Sequence, residues 1–96
     1  MTITDLPRAA VDDADADGLL ARAAGGDRQA FGTFYDVTAP RIYALLLALT
    51  PDASRADILL EEVYVEAWAR LVDRGMPPCP AREWVSLMAH RHAGRR

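Results

Sequence analysis

An all-α fold, a compact bundle of about four helices, is what this sequence predicts, and three observations carry that reading. Apolar residues recur at spacings of three and four, most clearly Ala56, Leu59, Leu60, Val63, Ala67 and Leu71, which lays one stripe along a helix. No segment shows the strict alternation of a half-buried strand. The periodic stretches are separated by Gly25-Gly26, by Thr50-Pro51-Asp52 and by a hexapeptide with three prolines, all of which stop helices.

Taken in order, residues 1–14 form an acidic leader without apolar periodicity, expected to be disordered, and residues 15–96 form one helical domain. Asp15 or Asp17 is expected to cap the first helix, because a carboxylate there accepts the free amide hydrogens of the first turn. That helix turns Leu19, Leu20 and Ala23 inward and ends at Gly25-Gly26. Asp27 caps the second helix, with Phe31, Phe34 and Tyr35 on its inner face. Pro40 lacks an amide hydrogen and crowds the preceding turn, so the helix is expected to kink or divide there, with Thr38 recapping its continuation. The continuation buries Ile42, Leu45, Leu46 and Leu49. Asp52 or Ser54 caps the third helix, which runs to about Asp73. The stretch Gly75-Met76-Pro77-Pro78-Cys79-Pro80 cannot be helical. The last helix starts near Ala81, with Trp84, Leu87 and Met88 facing in.

Ninety-six residues suffice for one modest core and not for two. Half the residues are apolar, so the chain folds rather than staying disordered. No apolar run reaches the ~18 residues needed to span a bilayer. The start of the chain lacks the basic-then-apolar order of a secretory signal. The lone Cys79 makes no internal disulfide, and a reducing, cytoplasmic setting is the expectation. The net charge of −3 conceals a polarity. Twelve acids face five arginines up to Glu66, whereas six arginines face two acids from Ala67 onward. Such a chain suits a basic protein surface at one face and phosphates at another.

The run Arg55-Ala56-Asp57-Ile58-Leu59-Leu60-Glu61-Glu62-Val63-Tyr64-Val65-Glu66-Ala67-Trp68 resembles the "DAEDLVQEVFLRAW" signature of region 2 of the sigma-70 family, in particular of the extracytoplasmic-function (ECF) type. Leu19-Leu20-Ala21-Arg22-Ala23-Ala24-Gly25-Gly26-Asp27-Arg28-Gln29-Ala30-Phe31 is similar to that family's opening "LLARAAAGDxxAF". Phe34-Tyr35-Asp36 with Ala39-Pro40-Arg41-Ile42-Tyr43-Ala44 resembles "LYDxxAPRVYA", and Trp84-Val85-Ser86-Leu87-Met88-Ala89-His90-Arg91 resembles "WLxxIARN". Each match alone is weak, and four in the right order at the right spacing are strong.

The resemblance implies a transcription initiation domain that binds core RNA polymerase and captures the −10 promoter element. Asp57, Ile58, Leu60, Glu61 and Glu62 would bind the coiled-coil clamp helices of the β′ subunit, the carboxylates pairing with arginines and Leu60 adding apolar contact. Arg70, Arg74, Met76, Arg82, His90, Arg91, Arg95 and Arg96 would hold promoter DNA as an opened, single-stranded non-template strand with one flipped base. An anti-sigma factor covering the same surfaces is a further implied partner. Two departures carry weight, and the first lies on the third helix: Ile58 stands where the family has Asp, and Glu61 where it has Gln. Pro77-Pro78-Cys79-Pro80 replaces a stretch commonly aromatic and rich in glycine. Complete factors continue into a second helical domain that reads the −35 element, and this sequence ends at Arg96, as an excised domain or a naturally short one.

Plainer readings stand beside these. Glu61, Glu62 and Glu66 form either a docking surface or a solvated helix face. Arg91, Arg95 and Arg96 either neutralise phosphates or complement the negative end of a helix. Trp68 and Trp84 read as core anchors. His90 and His92 lie two apart on different sides of a helix and make no metal pair. No nucleophile with a base, no phosphate-cradling glycine loop and no metal spacing is present, so neither catalysis nor a cofactor is expected. The alternative function is a truncated sigma-like interaction module that binds polymerase or an anti-sigma factor without reading DNA. A coincidental helical bundle is the remaining rival.

Overall fold

Four helices follow one another in the computed structural model, which describes residues 13–94: α1 (Asp13–Ala24), α2 (Arg28–Leu49), α3 (Ala53–Arg74) and α4 (Ala81–Gly94). No strand occurs among the described residues. Most of the expected leader, residues 1–12, lies outside them, and α1 starts at Asp13, slightly before the expected boundary. No helix among the described residues is long and apolar enough to cross a membrane.

Local chemistry sets most of the boundaries. Asp27 sits in extended conformation and accepts the Ala30 amide at 3.1 Å, and Asp52 does the same for Arg55 at 2.8 Å. The end of α1 is a Schellman turn, in which the Asp27 amide donates to the Arg22 carbonyl and the Gly26 amide to that of Ala23. It needs φ of 108° at Gly26, which a glycine adopts without strain. Past α3, Gly75 plays the matching part at φ 78°, donating its amide to Leu71. The proline-rich stretch 75–80 is non-helical, as expected.

Neither Asp15 nor Asp17 caps α1, because both lie inside it. Asp17 instead accepts the Ala81 amide at 2.6 Å and so caps α4 from across the bundle. The reason is Pro80: it occupies the cap position of α4 without a side-chain acceptor, which leaves the first amide of that helix to be satisfied from elsewhere. A second difference concerns Pro40. The second helix is not divided there; α2 runs as one helix through the proline. Thr38 recaps nothing. Its hydroxyl, fully inside the protein, lies 2.7 Å from the Phe34 carbonyl, to which it donates, and 2.6 Å from the Tyr64 hydroxyl.

α2 packs against each of the other three helices and carries the centre of the core. Phe34, Leu20, Leu46, Leu71, Met88, Val63 and Val85 are fully enclosed. Burying side chains of this size contributes roughly 1.5–3 kcal/mol each. Phe31, Phe34, Tyr35 and Tyr64 bring their rings together at the α2–α3 seam, and Trp68 joins through Phe31 at 5.0 Å. Three expected inward residues turn out otherwise: Tyr35 is 37 % exposed, Leu49 43 % and Leu87 55 %. In α4 the buried line is Ala81, Val85, Met88, Ala89 and His92, which puts Leu87 on the far side.

Candidate functional site

Helix α3 has two faces of opposite use. Ala56, Leu59, Val63, Tyr64, Ala67 and Leu71 are buried. On the other side Ile58, Val65 and Val72, seven residues apart, are each at least half exposed. Sevenfold spacing keeps them in one row along a helix, the geometry that packs against another helix. Beside this row an open groove of about 600 Å³ runs between α2 and α3. Phe31, Tyr35, Leu60, Val65 and Trp68 give it an apolar floor, and Asp57 and Glu61 place carboxylates at its edge.

The residues predicted to meet a protein partner are therefore only partly gathered. Asp57, Leu60 and Glu61 line the groove, and Ile58 stands on the adjoining exposed row. Glu62 points the other way, toward α4, with a carboxylate oxygen 3.6 Å from His92 Nδ1. Tyr43 of α2 neighbours Asp57; desolvation, a hydrogen bond to that carboxylate and its charge all raise the tyrosine pKa. Trp68 is half-buried against the core and contributes to the groove as well.

On the α4 side of α3, three side chains converge on Glu66. Arg70 Nε donates to its Oε2 at 2.5 Å and Arg91 Nη2 donates to the same oxygen at 3.1 Å. His92 Nε2 lies 2.6 Å from Oε1. A carboxylate only accepts, so that histidine nitrogen carries the proton. Partial burial alone pushes the Glu66 pKa up. The bonds from His92, Arg70 and Arg91 outweigh it and hold the carboxyl at about 2. His92 stands in no predicted site, and Glu66, grouped in the sequence with the acidic surface of Glu61 and Glu62, turns instead to the α4 side. A signal for His92 exists in the sequence, since it continues the spacing of Ala81, Val85, Met88 and Ala89 and so belongs on the buried line. Its partner, 26 residues away on another helix, leaves no local trace.

The lowered pKa has a consequence for stability. Glu66 gives up its proton more readily in the folded chain than in the unfolded one. Its contribution is therefore complete above the unfolded carboxyl pKa and is lost as pH falls toward the folded value of about 2. Wild type is expected to exceed Glu66→Gln by about 2 kcal/mol at pH 7, a figure discounted for partial solvent access, with the gap closing between about pH 5 and 2. Urea unfolding of both proteins across that range checks this, and a gap independent of pH contradicts it.

The remaining predicted DNA contacts are dispersed. Arg70 and Arg91 meet at Glu66 with side chains 38 % and 47 % exposed. Arg74 extends from the end of α3 beside Asp73, and Met76 is exposed in the following loop. His90 is exposed on α4. Arg82, half-buried, lines a small crevice with Thr38, Arg41, Ile42, Val85 and Ser86 on the α2 side of α4. It precedes Arg91 by nine residues, half a turn around the helix axis, so the two face opposite ways. Arg95 and Arg96 lie outside the described residues. Among the described residues no group of histidine, cysteine and carboxylate side chains is placed to hold a metal.

Comparison with known proteins gives this geometry a context. The chain is 37 % identical over 79 residues to the ECF RNA polymerase sigma factor SigK of Mycobacterium bovis, which covers 82 % of this chain and 42 % of that protein. It is 35 % identical over the same length to SigK of Mycobacterium ulcerans, with the same coverage of each chain. With SigK of Mycolicibacterium vanbaalenii it shares 31 % over 80 residues, 83 % of this chain and 41 % of that one. The chain thus spans less than half the length of the relatives it matches. No family model matches it. No solved structure matches it significantly.

Proposed function

From a chain that carries a region of the ECF sigma-70 type, we propose that it acts in transcription initiation, docking on core RNA polymerase through α3 and holding promoter DNA near the α3–α4 junction. The observation that carries this reading is the acid-rimmed apolar groove of Asp57, Leu60, Glu61 and Trp68, with the exposed Ile58–Val65–Val72 row beside it. Carboxylates around an apolar strip match a partner helix that presents apolar side chains flanked by arginines. The clamp helices of the polymerase β′ subunit are the proposed partner, and an anti-sigma factor would compete for the same strip. Ile58 supplies apolar area in place of a charge, so less of the attachment here depends on salt.

The second half of the proposal concerns the strand. Arg70 and Arg74 lie in the last two turns of α3, Met76 just beyond it, and His90 and Arg91 toward the end of α4, where a −10 strand would track phosphates over cations. The opposed orientations of Arg82 and Arg91 favour the second reading, an interaction module that binds polymerase without reading DNA.

The deciding experiment is titration of the chain against the isolated β′ clamp-helix fragment at two salt concentrations. Binding with Kd of about 1 μM or tighter, weakening as salt rises, is the expected result. No binding at either salt removes polymerase as the partner of this face.

A further inference from the structure

We propose that Glu66, held in place by His92, is a positioning residue that draws Arg70 and Arg91 together into a seat for one phosphodiester of a nucleic-acid strand. The inference rests on the reading that the α3–α4 side meets promoter DNA, and it identifies the residue that makes such a contact possible. Arg70 belongs to α3 and Arg91 to α4. Two guanidinium groups repel each other and diverge unless an anion stands between them. Here both bond the same oxygen of Glu66, which keeps their bonded nitrogens within two hydrogen-bond lengths of each other.

Exposure places the parts in a definite order. His92 is almost wholly buried at 8 %, Glu66 is 21 % exposed, and the arginines reach 38 % and 47 %. The anion therefore lies beneath and the cations above it. Each guanidinium has five N–H donors and spends one on Glu66, so most of both forks remains for an oxyanion arriving from solvent. The carboxylate reduces the net charge of the cluster, which opposes phosphate binding. Against that, long arginine side chains lose much rotamer freedom when they bind, and here the freedom is already lost. A brace between α3 and α4 requires only the buried His92–Glu66 pair; two half-exposed arginines add little to such a brace.

The test uses the whole chain and a fluorescein-labelled oligothymidylate, with binding followed by anisotropy over a salt series. Arg91→Ala is expected to weaken binding about five- to tenfold and to reduce the salt slope by about one. Glu66→Ala is expected to cause the same loss of affinity and slope, and the double variant no further loss. Glu66→Gln, which keeps the side-chain volume, is expected to move in the same direction by less, and circular dichroism confirms that each variant is folded under the binding conditions. A merely structural role for Glu66 would alter melting and leave the salt slope alone. If Arg91→Ala weakens binding while both Glu66 variants bind as well as wild type or better, the positioning role is wrong and the nucleic-acid reading survives. If the wild type does not bind, or no variant changes its affinity, both fall together.

Discussion

Reversing Glu61 and Glu62 together to arginine is expected to weaken binding to the β′ clamp-helix fragment by about a hundredfold or more. The change replaces two attractions with two repulsions against a basic partner, and like charges set face to face across an interface are the costliest mismatch available to a polar rim. Both side chains are exposed, so the helix has no packing reason to object. Their geometry predicts unequal shares. Glu61 borders the groove with Asp57, whereas Glu62 leans toward His92. Glu61→Arg alone should therefore account for most of the loss, and Glu62→Arg alone for little. Far-ultraviolet circular dichroism must show unchanged helicity in all three variants. Undiminished binding by the double variant would remove the groove side of α3 from the docking surface.

Phe34→Ala is expected to lower stability by about 3–5 kcal/mol. Phe34 is fully buried at the point where α2 meets α3, with its ring 6.0 Å from Phe31 and 6.4 Å from Tyr64. Alanine would leave a cavity lined by rings too rigid to collapse into it. A domain of this size has roughly 5–15 kcal/mol in total, so the variant should melt far below the wild type. Thermal unfolding by circular dichroism gives the answer. A loss of less than about 1 kcal/mol would mean that the aromatic seam repacks freely. Tyr35→Ala, at a ring more than a third exposed, makes the internal comparison and should cost distinctly less.

Where the determinants were local, the sequence alone was enough to place them. Asp27 and Asp52 lie immediately before their helices, Gly25-Gly26 carries its own stop, and three prolines forbid a helix over residues 75–80 whatever surrounds them. The stripe of α3 was legible because 3.6-residue periodicity is a property of one segment. Asp17 is deceptive in the sequence because a carboxylate early in a helix looks like a cap for that helix. That it serves α4 depends on a packing that only the folded chain creates. Leu87 is deceptive for a related reason: in a helix with few large apolar residues, small Ala81 and Ala89 and the polar His92 carry the buried line. Thr38 at the aromatic seam is the same kind of case, a polar residue made internal by one hydroxyl partner from another helix. For the candidate site, composition pointed to an acidic stretch followed by basic ones. It could not show that Glu66 belongs with Arg70, Arg91 and His92 rather than with Glu61, because that depends on which way each residue turns on the helix.

The bond from the Ala81 amide to Asp17 joins positions 64 residues apart. Because α1 supplies the acceptor that Pro80 lacks, the first turn of α4 is complete only when α1 and α4 have met. During synthesis the first amide of α4 gains its acceptor only once α4 has packed against α1, made 64 residues earlier. The loop that hands the chain from α3 to α4 is thereby anchored on its far side by α1. Any partner that pulls on that loop is working against α1 as well, and loosening α1 would be felt at the first turn of α4.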